Sequence, residues 1–160
     1  MTGNQQMNDK AFIDTNIFIY LYSEDEMQKQ SISQKTVDKY DCIISTQVLN
    51  EFSNVCIGKL DKPTEEVELA VNEIMEQCVV SLIEKHNIKQ ALEIHKRYGY
   101  KYFDCLMLVS ALNSHCKYFI TEDMADGQII DNRLTIVNIY SEKNIKKYWI
   151  RYNYIGSAGC

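Results

Sequence analysis

The segment 11-AFIDTNIFIY-20 places an acidic residue between two apolar runs. Residues Ala11–Asp14 have the composition of a buried β-strand that ends in a carboxylate. Because a lone carboxylate is costly to remove from water, we expect Asp14 to be paired, hydrogen-bonded or bound to a metal ion. A simpler alternative is that Asp14 only caps the turn that follows it.

The composition is that of one globular domain. The chain has 160 residues, of which 46% are hydrophobic and 24% are charged, and a chain of this length can bury a sizeable core. Its formal net charge of −5 argues against a general binder of polyanions, since such proteins need Lys and Arg on phosphates. A nucleic-acid enzyme is still compatible with this charge, because cations held by an acidic site can receive a phosphate.

Short β-rich runs alternate with segments of helical periodicity along the chain. This alternation predicts a parallel sheet covered by helices on both faces. Sites in such sheets lie at the carboxyl ends of the strands, which is where we expect Asp14. The strand candidates are Ala11–Asp14, Cys42–Ser45, Val79–Ile83, Tyr118–Thr121 and Thr135–Ile139.

Three further acidic residues are expected at the same edge of the sheet. Asp123 follows the fourth strand candidate, and Asp104 opens the most apolar helical segment, 104-DCLMLVSALNSHC-116. Glu51 borders the apolar stripe of the helical segment 47–58, about 100° from its centre. Each position has a simpler alternative, namely a helix-cap acid for Asp104, a turn residue for Asp123 and a solvated helix acid for Glu51.

Carboxylates grouped in this way repel one another unless cations neutralise them. Oxygen ligands without His or Cys partners select Mg²⁺ or Mn²⁺. Such ions activate water and stabilise the charge that builds on a phosphate during in-line displacement. The acidic pattern therefore predicts metal-assisted hydrolysis of phosphodiesters.

Four short motifs follow one another over roughly residues 10–140, namely 12-FIDTNIFIY-20, 45-STQVLNEF-52, 103-FDCLMLVSAL-112 and 120-ITEDMADGQIID-131. In this order they resemble the PIN-domain ribonucleases, and most closely the bacterial VapC-type toxins of toxin–antitoxin pairs. The resemblance implies an α/β fold of three layers, α/β/α, with a central parallel sheet of five strands in the order 3-2-1-4-5. It also implies endonucleolytic cleavage of RNA that depends on Mg²⁺ or Mn²⁺ and leaves a 5′-phosphate and a 3′-hydroxyl.

Carried over position by position, the resemblance gives the acids that would catalyse and bind metal as Asp14, Glu51, Asp104 and Asp123. Glu51 would hold a second ion or position the attacking water. Asn16 matches the Asn of the family's DTN motif and would orient the site. Thr121 matches the hydroxyl residue before the last acid and would hold a water bound to the metal. Asp126 lies close by in sequence and could add an outer contact.

The expected partners and location follow from the same resemblance and from the composition. The resemblance implies an RNA substrate, a small antitoxin protein and a homodimer. Six cysteines occur without a CxxC pair, and we expect them to be reduced core residues of a cytoplasmic protein. No apolar run approaches the ~20 residues of a membrane span.

Two segments have open interpretations. We expect residues 1–140 to form the PIN-like nuclease domain and residues 141–160 a C-terminal extension with a short amphipathic helix and a flexible end. That helix could pack on its own domain, form a surface for a dimer or an antitoxin, or bind RNA. A cluster before Asp104 could hold RNA or could be a partly exposed loop. It comprises Lys96, Arg97, Tyr98, Tyr100, Lys101 and Tyr102.

Three other functions share features with this sequence. A PIN-fold nuclease of RNA processing would need no antitoxin. A binding module with this fold would not need the full set of four acids. A phosphoryl-accepting receiver domain is disfavoured, because the last strand candidate ends in Ile139-Tyr140 and not in the Lys that a receiver needs.

Overall fold

Strands and helices alternate along residues 8–146, the part of the chain that the computed structural model describes. This part contains six strands and six helices, and a helical turn over residues 142–146 follows them. In chain order the elements are β1 (Lys10–Ile13), α1 (Thr15–Leu21), α2 (Met27–Lys39), β2 (Asp41–Ser45), α3 (Thr46–Gly58), α4 (Thr64–Gln77), β3 (Val79–Ser81), α5 (Lys85–Tyr98), α6 (Tyr102–Asn113), β4 (Tyr118–Ile120), β5 (Ile129–Ile130) and β6 (Leu134–Val137).

The strands form one sheet in the order β3-β2-β1-β4-β6-β5. All neighbours from β3 to β6 are parallel, which confirms the predicted α/β fold and the predicted order 3-2-1-4-5, with β6 as the fifth parallel strand. β5 is a sixth strand that pairs antiparallel with β6. The sequence pattern does not predict β5, because a strand of two residues is too short to show an alternating pattern.

The sheet is buried on both of its faces at β1. Ala11, Phe12 and Ile13 are all buried, and consecutive residues of a strand point to opposite faces. Phe12 stacks on Phe119 of β4, with ring centroids 5.2 Å apart. In α6, every residue from Cys105 to Leu112 is buried, which explains why this helix is apolar on all sides.

The predicted helices are present, with starts that differ by a few residues. α5 begins at Lys85, because Glu84 and Asn87 form a reciprocal capping box at its start. It ends at Gly99, whose φ of 73° lies in the left-handed region that glycine adopts without strain. α6 begins at Tyr102, so Asp104 lies in its first turn, where the helix dipole favours a negative charge.

The register of the central strands sets the position of the acidic edge. Ile13 of β1 lies beside Ile120 of β4, and the Asp14 N–H donates a hydrogen bond of 3.0 Å to the Ile120 carbonyl. The next residues, Asp14 and Thr121, therefore leave the sheet side by side. On the other side of β1, α3 starts directly after β2 ends at Ser45.

Asp126 connects the loop after β4 with the chain after β6. One oxygen of its carboxylate accepts hydrogen bonds from the Asn138 N–H (2.8 Å) and from the Asn144 side-chain amide (3.2 Å). This contact gives Asp126 a structural role. The predicted extension of residues 141–160 falls outside the described residues beyond residue 146, so its interpretations and the boundary at residue 140 stay predictions.

The cysteines of the described region agree with the expected reduced core. They are free and buried, at Cys42, Cys56, Cys78, Cys105 and Cys116. Among residues 8–146, every helix is too short or too polar to cross a lipid bilayer.

Replacement of Phe119 tests the central packing. Phe119→Ala removes a fully buried ring and its stack on Phe12, so we expect the free energy of unfolding to fall by about 3–5 kcal/mol. Urea denaturation followed by circular dichroism measures this change.

The control is an exposed phenylalanine of the same chain. Phe103 is 62% exposed, so Phe103→Ala should lower the free energy of unfolding by less than about 1 kcal/mol. Equal losses in the two variants would contradict the described core.

Candidate functional site

Asp14 is a buried carboxylate at the carboxyl end of β1. Its side chain is 6% exposed. One oxygen accepts a hydrogen bond of 2.6 Å from the Thr15 N–H at the start of α1, and the other accepts one of 2.7 Å from the Thr121 hydroxyl. Asp14 thus caps α1, as the simpler alternative holds, and also faces the neighbouring strand end.

The environment of Asp14 disfavours its charge. Burial is the main cause that raises its pKa to about 7, and the hydrogen bonds from Thr121 and Thr15 lower the pKa only in part. The charges of Asp123 and Asp104 raise it further. A bound cation would stabilise the charged form of Asp14 in this environment.

Thr121 and Asn16 fix the relation between Asp14 and Asp123. The Thr121 side chain is fully buried, and its hydroxyl donates to Asp14 and accepts a hydrogen bond of 3.1 Å from the Asp123 N–H. Asn16 donates from its amide to the Asp123 carboxylate at 2.6 Å. Both residues therefore orient acids directly. That Thr121 also holds a water bound to the metal, as the resemblance implies, stays a prediction.

Glu51 is held by two residues that the sequence pattern does not single out. One carboxylate oxygen accepts a hydrogen bond of 3.0 Å from the Thr15 hydroxyl. The other accepts one of 2.7 Å from the side-chain amide of Gln47, and the same amide nitrogen donates to the Phe103 carbonyl at 3.1 Å. Two features of the sequence could have indicated these contacts. Thr15 directly follows Asp14, and Gln47 precedes Glu51 by four residues, a spacing at which side chains of a helix meet.

Asp104 completes the group from the first turn of α6. Burial is the largest cause that raises its pKa, the charge of Lys101 lowers it, and the charges of Asp123 and Glu51 raise it again. Asp104 therefore interacts with Asp123 and Glu51. Asp14 interacts with Asp123 and Asp104. The structure brings the four predicted acids into one electrostatic group.

Glu122 lies between Thr121 and Asp123 but has its own positive partner. Lys29 of α2 contacts its carboxylate at 2.6 Å, and the Tyr20 hydroxyl donates to it at 2.6 Å. Lys29 thus offsets the charge of Glu122.

The donor set fits Mg²⁺ or Mn²⁺, since it consists of carboxylate oxygens. In residues 8–146, however, no three Asp, Glu, His or Cys side chains already have the mutual arrangement of a metal site. Oxygens of Asp14 and Asp123 accept hydrogen bonds from Thr121 and Asn16 instead. Binding of one ion by three of these carboxylates would thus require their side chains to turn toward it.

Part of the basic and aromatic cluster before Asp104 has a structural role. The Arg97 guanidinium makes two hydrogen bonds to the Asp131 carboxylate, at 2.5 and 3.2 Å, and the Tyr98 hydroxyl donates to the same carboxylate at 3.0 Å. The Tyr100 hydroxyl is hydrogen-bonded to Gln128. These contacts attach the end of α5 to the β5–β6 hairpin.

Solved structures of toxin–antitoxin proteins share this fold. A toxin–antitoxin complex from Klebsiella pneumoniae is 20% identical, with a TM-score of 0.62 over 81% of this chain and 98% of that chain. VapBC2 from Rickettsia felis, bound to a DNA fragment from its promoter, is 16% identical, with a TM-score of 0.58 over 81% of this chain and 99% of that chain. VapC20 from Mycobacterium tuberculosis, a toxin that cleaves the sarcin–ricin loop, is 15% identical, with a TM-score of 0.56 over 68% of this chain and 86% of that chain.

The family of the chain is assigned by its match to a family model, because structural similarity at 15–20% identity shows only the fold. No curated protein matches the chain significantly. The model of the PIN domain matches residues 11–125, a range that contains Asp14, Glu51, Asp104 and Asp123. This match covers more than half of the chain, and the chain therefore belongs to the PIN domain family.

Proposed function

We propose that the protein is a metal-dependent endoribonuclease and the toxin of a toxin–antitoxin pair. The observation that carries the proposal is the electrostatic grouping of Asp14, Glu51, Asp104 and Asp123 at the carboxyl end of the sheet. A group of this kind is unfavourable without a cation, which favours a metal-binding role for these acids. Membership of the PIN domain family and the toxin named among the structural relatives support the same function.

The residues that would hold Mg²⁺ or Mn²⁺ are Asp14, Glu51, Asp104 and Asp123. A bound divalent cation supplies a Lewis acid that polarises phosphate oxygens and lowers the pKa of water. The protein contributes the placement of the acids. Thr121 and Asn16 orient Asp14 and Asp123, while Thr15 and Gln47 hold Glu51.

The substrate of this site is proposed to be RNA, cleaved in the cytoplasm to a 5′-phosphate and a 3′-hydroxyl. The positive charge of Lys101 lowers the pKa of Asp104. The chain as a whole is acidic, with a net charge of −5. Affinity for the phosphate backbone should therefore depend on bound divalent cations more than on a basic surface.

The partners are proposed to be a small antitoxin and a second copy of the chain. The relative from Klebsiella pneumoniae is a toxin–antitoxin complex, which supports an antitoxin. This chain also has a partly apolar groove of about 280 Å³ between α1, α3 and α4, lined among others by Tyr22, Phe52 and Val67. Exposed Leu60 and Leu69 border the groove, so a protein segment could bury apolar surface there.

Cleavage requires the acids in the charged form. Asp14→Asn and Asp104→Asn should each lower the rate of RNA cleavage by more than about 100-fold, because each removes a proposed metal ligand. EDTA should abolish cleavage by the wild-type protein, and Mg²⁺ or Mn²⁺ should restore it. Gel analysis of labelled cellular RNA measures these rates.

A matched control is Asp61→Asn, a change of the same chemistry outside the site. Asp61 is exposed and has a φ of 50°, which asparagine tolerates. The Asp61→Asn protein should cleave RNA at the wild-type rate. Full activity of a folded Asp14→Asn protein would contradict the assignment, and an inactive wild-type protein would favour a binding module.

The stability of the metal-free protein should depend on pH through Asp14. Its pKa is raised from 3.8 to about 7 in the folded chain, so between these values the folded state holds a proton that the unfolded state releases. The contribution of Asp14 to the free energy of unfolding then falls as the pH rises from about 4 to 7. In EDTA, Asp14→Asn should be more stable than the wild type at pH ~8, on the order of 1–3 kcal/mol.

The difference should shrink toward pH ~4, where both side chains are neutral. Urea denaturation of both proteins across this pH range gives the comparison. An Asp14→Asn protein that is no more stable than the wild type at pH ~8 would show that the Asp14 charge is not unfavourable.

Expression in a bacterial host separates a toxin from an RNA-processing nuclease. We expect the wild-type chain, expressed without an antitoxin, to arrest growth and to generate new RNA ends, and Asp14→Asn to do neither. Growth curves and mapping of RNA 5′ ends measure both effects. Harmless expression of a protein that cleaves RNA in vitro would instead indicate a nuclease without an antitoxin.

A further inference from the structure

We propose that the cavity between α3 and α6 binds one unstacked nucleobase of the RNA, next to the bond that is cleaved. The cavity has a volume of about 490 Å³, which lies within the roughly 300–1,000 Å³ of small-molecule sites. Glu51 forms part of its wall, so the cavity is continuous with the acidic group. This inference rests on the proposed function and adds a substrate-binding subsite to it.

One wall of the cavity is a face of α3. Gln47, Asn50, Glu51 and Asn54 line it, at the three- and four-residue spacing that places side chains on one side of a helix. Asn50 and Asn54 are exposed, so their amides can donate to and accept from the edge of a base. The same face of α3 therefore carries both a proposed catalytic acid and hydrogen-bonding groups of the kind that read bases.

The opposite wall presents an aromatic ring to solvent. Phe103 lines the cavity and is 62% exposed, although residues 105–112 of the same helix are all buried. Its ring packs edge-on against Tyr102, with centroids 5.5 Å apart. Exposed aromatic rings beside a nucleic-acid path act as stacking surfaces for bases.

Gln47 fixes the two walls relative to each other. Its amide nitrogen donates both to Glu51 and to the Phe103 carbonyl, and Gln47 itself is 8% exposed. The backbone of Phe103 is therefore held next to the Glu51 carboxylate by hydrogen bonds. A base held on Phe103 would bring the adjoining phosphate out of the cavity toward the acidic group, where the proposed divalent cation would offset the carboxylate charges.

The charge of the cavity favours a base over a phosphate. Its lining includes one charged side chain, the carboxylate of Glu51, and contains no Lys or Arg. A phosphate would be repelled by this carboxylate, whereas a neutral planar ring would gain apolar contact with Ile83 and Phe103. A segment of a protein partner is the alternative occupant, and RNA binding measured with abasic probes distinguishes the two.

The experiment combines one protein variant with base removal in the RNA. The probe is a labelled RNA of about 12 nucleotides, together with versions in which a single abasic position is moved along the chain. Binding is measured by fluorescence anisotropy with Ca²⁺ in place of Mg²⁺, and the cleavage position is mapped separately with the wild type in Mg²⁺. The proteins are the wild type, Phe103→Ala, Phe103→Tyr and Leu92→Ala, the last being an exposed apolar residue of α5.

We expect Phe103→Ala to weaken binding of the intact RNA about tenfold. Phe103→Tyr, which keeps a stacking ring, and Leu92→Ala should stay within about twofold of the wild type. One abasic position beside the cleaved bond should weaken the wild type by a similar factor and should have no further effect on Phe103→Ala, because both changes remove the same contact.

Two results would overturn the subsite. Unchanged RNA binding by Phe103→Ala, with wild-type cleavage intact, would contradict the subsite alone and leave the cavity to a protein segment. Independent, multiplicative effects of Phe103→Ala and every abasic position would also contradict it. A wild-type protein that neither binds nor cleaves RNA would reject the proposed function together with the subsite.

Discussion

Mutual repulsion between four carboxylates is the constraint on which the candidate site depends. Asp14 is buried, and its pKa is raised by burial and by the charges of Asp123 and Asp104. Asp104 in turn interacts with Asp123 and Glu51. Hydrogen bonds from Thr121, Thr15, Asn16 and Gln47 offset part of this cost, and a divalent cation would offset more. The fold thus holds an arrangement that is unfavourable by itself and favourable with the proposed cofactor.

The sheet provides the rigidity that such an arrangement requires. β1 lies between β2 and β4, parallel to both, and the residues Ala11, Phe12 and Ile13 are buried. The carboxylate that follows them therefore starts from a fixed backbone. The pairing of Ile13 with Ile120 places Thr121 at hydrogen-bonding distance from Asp14. Helices α3 and α6 deliver Glu51 and Asp104 from segments that lie far apart in sequence, which is typical of sites at the carboxyl ends of parallel strands.

The sequence predicts the acids because they produce local patterns, whereas the strand order is predicted by the resemblance to the PIN-domain ribonucleases. A carboxylate directly after a β-rich run, or in the first turn of an apolar helix, is visible without any knowledge of the fold. In the structure, Asp104 interacts with Asp123 and Glu51, and Asp14 interacts with Asp123 and Asp104. The contacts of Thr15 and Gln47 with Glu51 are not predictable in this way, because they depend on how α1, α3 and α6 pack together. The structural role of Asp126 is likewise not predictable, because its partners Asn138 and Asn144 lie in a later segment of the chain. The two-residue strand β5 is too short to be visible in the pattern.

The central claim is that the four acids share a divalent cation. A crystal structure of the wild-type protein with Mn²⁺, with the metal located by its anomalous scattering, tests this claim most directly. We predict an anomalous peak at the carboxyl end of β1, with oxygens of Asp14 and at least one of Asp104 and Asp123 within about 2.5 Å. Saturating Mn²⁺ with no peak at this edge, or a peak bound elsewhere while these carboxylates keep their hydrogen bonds to Thr121 and Asn16, would contradict it.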